Sequence, residues 1–299
     1  MGKLAIISDL HADINHLAEA ELAILLEVLQ ERAITRLHFA GDSANQIQQT
    51  LEINAYFRKQ GIETTFNLGN HEMGSVVGEA MIEHYPDSHF LNFRYLPLNE
   101  STVLLGVNGW YDYQFSDLTD QEKIASMKNL YWYDRIIQRS GDDPAVNQRI
   151  LEQLDMVLRD LKEKNYRVIL ATHFVPQDQF IVRLEGRYQI WNKLNAFLGS
   201  ASMGHLLDQY DNISDVVFGH THRRFEEQMI QGTRYHCRPL GYYYEWRLTR
   251  DFVIKNQLVE EYNPMKLRGV LRKHQEAFQS YKLLHLKQEF QQAMTVIAY

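Results

Sequence analysis

Phe66-Asn67-Leu68-Gly69-Asn70-His71-Glu72 packs a strand, a break and three donor side chains into one short segment. Thr64 to Leu68 is a compact run of the kind that forms a buried strand, and Gly69 ends it. A neutral oxygen donor, an imidazole and a carboxylate follow directly. Loops at strand ends face solvent while the strand behind holds them rigid, and open α/β sheets place their chemistry there.

The same form recurs on either side. Lys3 to Ser8 runs into Asp9-Leu10-His11, and Arg36 to Ala40 ends at Gly41-Asp42. Further on, Arg167 to Ala171 ends at Thr172-His173, and Asp215 to Phe218 ends at Gly219-His220-Thr221-His222. Leu17, Leu22, Leu25, Leu26 and Leu29 recur at helical spacing after Asn15, which is placed to cap that helix. A second helix runs through Gln46 to Lys59. Alternating strands and helices with donors at each strand end predict a layered α/β sheet. Such a sheet brings all the clusters to one edge, although they span residues 9 to 222.

Thr102 to Val107 is a further strand, followed by Trp110-Tyr111-Asp112-Tyr113. From about 117 to 164 the chain is polar and helical in period, with Tyr131-Trp132-Tyr133 inside it and Pro144 at a helix start. This reads as a helical insertion over or beside the core. Strand-like pieces around Arg234-Tyr235-His236-Cys237 and Val253-Ile254 surround Gly241-Tyr242-Tyr243-Tyr244. Residues 266–294 read as a C-terminal helical extension, with Leu271, Phe278, Tyr281, Leu284 and Phe290 on its docking face. No repeat or linker interrupts the chain, so 1–299 is expected to be one domain.

Composition narrows the class. The chain has 299 residues, 45% hydrophobic and 23% charged, as in ordinary globular proteins. A net charge of -7 counts against long nucleic acid as a partner but not against a small anionic substrate. Cys237 is the only cysteine, so no internal disulfide forms, and a buried thiol in a reducing compartment is expected. No apolar run of roughly 18 residues and no basic-then-apolar leader occur, which predicts a cytoplasmic protein with no membrane partner. The oligomeric state stays open.

The set Asp9-Leu10-His11, Gly41-Asp42, Gly69-Asn70-His71-Glu72, Thr172-His173 and Gly219-His220-Thr221-His222 resembles the calcineurin-like metallophosphoesterase family. The resemblance covers roughly Leu4 to Arg223 and implies two facing mixed β-sheets flanked by helices, with a dinuclear centre at the sheet ends. It implies that Asp9, His11 and His222 hold one divalent ion. Asn70, His173 and His220 hold the other, and Asp42 bridges them. A donor set without thiolate suits manganese, iron, zinc, nickel or cobalt. Only Asp9 and Asp42 carry negative charge, so two divalent ions leave about two positive charges to recruit a phosphate.

The activity implied is hydrolysis of a small phosphomonoester or phosphodiester by attack of metal-bound hydroxide. His71 matches the family's non-ligand catalytic histidine, which protonates the leaving oxygen or binds the phosphoryl group. Family members often pair it with an acid where this chain has Asn45, an amide that orients the ring without stabilising imidazolium. The sequence after Asp42 lacks the D-R-G of the family's protein phosphatases. A nuclease of the same fold and a non-catalytic metal-binding scaffold are the alternatives; the first needs a basic groove, and the second would be expected to lose ligands. Asp13 and Trp110 are candidates for supporting a ligand or touching substrate. Arg183, Arg187, Arg223 and Arg224 are candidate phosphate clamps. His16, His84, His274 and His285 lie in helical stretches and read as surface or packing residues.

Overall fold

The alternation read from the sequence is present in a computed structural model that describes residues 2–299. β1 (Lys3–Ile7), β2 (Arg36–Ala40) and β3 (Glu63–Asn67) are parallel neighbours joined through α1 (Glu19–Glu31) and α2 (Ile47–Lys59). Parallel strands cannot be joined by a tight turn, so each connection carries a helix back along the sheet. Two short helices, α3 (Asn70–Met73) and α4 (Glu79–Glu83), follow β3. A second sheet has β4 (Arg94–Pro97) antiparallel to β5 (Thr102–Val107) at one edge. β6 (Arg167–Thr172), β7 (Ile213–Phe218) and β9 (Thr233–Cys237) continue it in parallel, and β8 (Gln228–Ile230) closes the far edge antiparallel to β9.

The central strands read as apolar because both of their faces are buried. Leu4 and Ile6 of β1 pack with Leu104, Ile169, Ala171 and Val217 of the second sheet, and this layer joins the sheets. Their chain neighbours Ala5, Ile7, Leu105 and Leu170 belong to the larger core under the helices, as strand alternation requires. The architecture is α/β: two facing mixed sheets flanked by helices.

The structure adds to the sequence reading and departs from it in several places. Within 117–164, α5 (Gln121–Tyr131) is largely exposed, but α6 (Asp143–Glu163) sends Val146, Ile150, Leu154, Leu158 and Leu161 into the main core. α6 lies in the connection between the parallel strands β5 and β6 and packs beside the main core. Val253 and Ile254 lie in a helix, not a strand. After α7 (Ala201–Leu207) comes α8 (Arg247–Lys255), whose Leu248, Thr249, Phe252 and Val253 are buried at helical spacing.

The C-terminal extension is two helices, α9 (Pro264–Lys273) and α10 (Gln275–Gln292), and the sequence reading did not anticipate β10 (Met294–Ala298), antiparallel to β1. Leu284, expected on the docking face, is 78% exposed, whereas Leu286 is buried. The face of α10 is rotated because two charged residues, Lys282 and Glu289, are buried with ion-pair partners Glu21 and Arg224. Asn15 does not cap α1, whose N-cap is Ala18. Its buried amide donates to Leu10 O at 2.8 Å and Gly241 O at 2.9 Å, and its oxygen accepts from Tyr243 N at 2.6 Å. Among the described residues no helix is long and apolar enough to cross a membrane.

Candidate metal centre

The C-terminal ends of β1, β2, β3, β6 and β7 converge, and the side chains that follow them meet in one cluster. Donor atoms of Asp9, His11 and His222 lie within 4.8 Å of one another, as do those of Asp42, His173 and His220, and those of His11, Asp42 and His71. Asp9, His11, Asp42, His220 and His222 all adopt positive φ, from 40° to 67°. Each such residue outside glycine costs on the order of 1 kcal/mol or more, and strain of this kind concentrates at functional sites. Two glycines allow the close approach. A Cβ on Gly69 would collide with the Asp42 carboxylate, and one on Gly219 with the Asp9 carboxylate.

Hydrogen bonds behind the cluster aim its donor atoms inward. His173 Nδ1 donates to Ala40 O at 3.2 Å, His220 Nε2 to Phe197 O at 3.1 Å, and His222 Nδ1 to Glu245 at 3.0 Å. Carbonyl and carboxylate oxygens only accept, so the opposite nitrogen of each neutral ring presents its lone pair. Asn70 donates from Nδ2 to Asp134 Oδ1 at 2.8 Å, which turns its own oxygen to 3.1 Å from His173 Nε2. His220 Nδ1 lies 3.1 Å and Asp42 Oδ2 3.3 Å from that same nitrogen. On the other side, His11 Nε2 and His222 Nε2 stand 3.0 Å apart, with Asp9 Oδ1 3.4 Å from the latter. Acceptors facing one another at these distances repel unless a proton or a cation lies among them. Imidazole nitrogens with carboxylate and amide oxygens suit a divalent transition ion, so the residues fit the group that the family implies. Of the clustered donor side chains, His11 has a buried atom, Nδ1, with no hydrogen-bond partner among the described residues.

The electrostatics show the same demand for positive charge. Burial opposes ionisation of Asp9, yet the hydrogen bond and charge of His222 hold its carboxyl down at about 2. Burial also opposes charge on His173 and His222, but Asp42 raises the first to about 9, and Asp9 with Glu245 raises the second to about 10. His220, buried beside His173, falls to about 3. The carboxylates therefore draw cations into a dry site.

His71 lies at the mouth of the cluster. Its Nδ1 is hydrogen-bonded to Asn45 Oδ1, and its Nε2 stands 3.4 Å from the Tyr242 hydroxyl and 3.9 Å from Asp42 Oδ2. Tyr133 stacks on the ring at 4.4 Å and 11°. Tyr242 also packs on His222, 4.3 Å between centroids.

Five residues at the site went unassigned in the sequence reading: Glu72, Tyr133, Asp134, Tyr242 and Glu245. Glu72 stands inside the Gly-Asn-His-Glu motif, and that position was its only signal. Its buried carboxylate accepts from the backbone of Asp42 at 2.8 Å, Ser43 at 2.7 Å and Gly69 at 3.0 Å. The other four are recruited from distant loops and carry no local mark.

Other candidates lie elsewhere. Trp110 is wholly buried, with its Nε1 donating to Asp143 at 2.9 Å. Asp13 makes no hydrogen bond to a clustered side chain, and its Oδ1 is buried without a partner among the described residues. Arg183 is paired with Asp178 and Arg224 with Glu289. His16 lies in the loop before α1 rather than in a helix.

Comparison with known proteins agrees with this geometry. The sequence profile described as calcineurin-like phosphoesterase matches residues 2–224. No curated protein matches the chain significantly. Among solved structures, the chain is similar to phosphopantetheinyl hydrolase from Mycobacterium tuberculosis, with a TM-score of 0.60, 18% identity, and coverage of 82% of this chain and 92% of that one. It is also similar to a dimetal phosphatase from Danio rerio, with a TM-score of 0.50, 14% identity, and coverage of 79% and 86%. At such identities the likeness speaks for the fold.

Proposed function

Since this chain belongs to the calcineurin-like phosphoesterase family and is a metal-dependent phosphoric ester hydrolase, we propose that it hydrolyses a small phosphomonoester or phosphodiester at a two-ion centre. Asp9, His11 and His222 hold one ion, and Asn70, His173 and His220 the other. Asp42 would bridge them, a role supported by its Oδ2 lying 3.3 Å from His173 Nε2 and 3.8 Å from His11 Nε2. The observation that carries the reading is the pair of imidazole nitrogen contacts, His11 with His222 and His173 with His220, at 3.0 and 3.1 Å, each of which needs a proton or a cation between the rings. When bound, the ions activate water and offset the charge of the phosphoryl group. Manganese, iron, zinc, nickel or cobalt suits these donors.

The side chains supply the rest. Asn45 Oδ1 accepts a hydrogen bond from His71 Nδ1–H, so Nε2 is the atom left to face the substrate's leaving oxygen. Tyr133 and Tyr242 enclose that ring and restrict water around it. His71 and Asp42 are only 8% and 1% exposed, an opening that suits a single phosphoryl group better than a strand of nucleic acid. A single domain acting in the cytoplasm is part of the proposal, supported by a main core to which strands of both sheets and the helices contribute and by one buried free thiol.

The test is a panel of phosphomonoesters, phosphodiesters and cyclic nucleotides with manganese, with metal content measured on the same sample. Turnover with two equivalents of metal is the expected result. Protein loaded with two ions that turns over no ester would defeat the catalytic reading, and one ion per chain would defeat the dinuclear one.

A further inference from the structure

A cavity of about 480 Å³ lies between α9, α10, the loop before α1 and the Gly241–Tyr244 segment. Its size is that of a small-molecule site. Arg268, Arg272 and Lys282 line it, and no carboxylate does, in a chain whose net charge is -7. Lys282 is neutralised from behind by Glu21 at 3.2 Å. Arg268 meets only the hydroxyl and ring of Tyr244, and Arg272 has no ion pair or hydrogen bond among the described residues. Arg268 and Arg272, one helical turn apart, are both exposed residues that line this space without an ion-pair partner among the described residues, an arrangement suited to phosphate oxygens. The opposite wall is aromatic, made by Tyr243, Phe278 and His16.

Gly269 supports the same conclusion. It lies inside α9, where glycine weakens a helix relative to alanine, and a Cβ there would meet nothing within 4 Å. Packing does not require glycine at this position, and its missing side chain keeps the cavity open between the two arginines. All these walls except His16 and Asn15 lie beyond residue 224, where the family match ends.

We propose that this cavity binds an organic phosphate with a flat ring, of the nucleotide class, with Arg268 and Arg272 on the phosphate and Tyr243 and Phe278 against the ring. It is coupled to the metal centre through Asn15, which bonds Gly241 O and Tyr243 N, while Gly241 N bonds Asp9 O at 3.1 Å. The ligand is either the far end of the substrate or a separate effector.

The test titrates the full-length, metal-loaded protein with the methylene-bridged analogue of ADP by calorimetry, comparing wild type with Gly269→Phe and Arg272→Gln. Neither substitution removes a packed side chain. Each is expected to weaken binding at least tenfold. Analogue that competes with a nitrophenyl phosphate ester in wild type identifies the far end of a substrate; a changed kcat at saturating ester identifies an effector. Either pattern, lost in Gly269→Phe, supports the cavity. Undetectable binding to wild type, or equal affinity in all three proteins, overturns it. Turnover of the nitrophenyl ester without analogue reports separately on the metal centre, so failure of one reading leaves the other standing.

Discussion

Asp134 Oδ1 accepts a 2.8 Å hydrogen bond from Asn70 Nδ2, joining the short helical turn at Tyr133–Ile136 to the start of α3. That bond decides which atom of Asn70 faces the centre. An amide presents either its oxygen or its NH2, and a donor pointed at a cation would repel it. Trp132 Nε1 steadies the same carboxylate at 3.1 Å. Tyr133, between the two, stacks on His71. The turn thus holds one face of the centre, although nothing in its sequence marks it as functional.

Asp134→Ala is expected to lower affinity for one of two ions. Loss of a partner that orients a ligand typically weakens metal binding about 10- to 100-fold. Stepwise manganese titration should show one equivalent binding as in wild type and one shifted. Two unshifted equivalents would show that Asn70 keeps its orientation without Asp134.

His71→Ala and Asp42→Asn should separate catalysis from metal binding. The first keeps both ions and lowers kcat by about 10²- to 10⁴-fold, as loss of a proton-transfer group does. The second lowers both metal content and turnover. A metal-free His71→Ala protein would make His71 a ligand, consistent with its approach to His11 and Asp42.

Leu154→Ala tests whether 117–164 is separable from the fold. Leu154 is fully buried on α6, and its truncation should cost about 3 kcal/mol, within the range for buried leucines. Deletion of α6 should yield insoluble protein. A soluble deletion that still hydrolyses simple esters would support the reading of this stretch as an insertion.

Glu21→Gln should flatten the acid side of the stability profile. Burial opposes the Glu21 carboxylate, but Gln279 and Lys282 hold its pKa below the ordinary value. A depressed carboxyl binds fewer protons folded than unfolded, so its contribution is present above about pH 4.5 and is lost as pH falls through the folded value. At neutral pH the variant strands the Lys282 ammonium and should lose about 3 kcal/mol. Denaturant melts at pH 7 and pH 4 should show that difference shrinking on acidification.

The sequence by itself determined the sheets' central strands and which polar side chains cluster at their ends. Short apolar runs ending in glycine and polar donors are local signals, and β2 and β5 begin and end where their residues predict. Their faces are buried whichever layer covers them, so reading them needs no knowledge of partners. Tertiary structure alone decided the rest. β10 is too brief to be told from the end of α10 until β1 offers its edge. The turn at Asn70 and the tautomer of His222 depend on Asp134 and Glu245, carboxylates that other loops deliver. Local patterns encode which atoms are available; three-dimensional packing encodes which way they point, because orientation is set by hydrogen-bond partners far away along the chain.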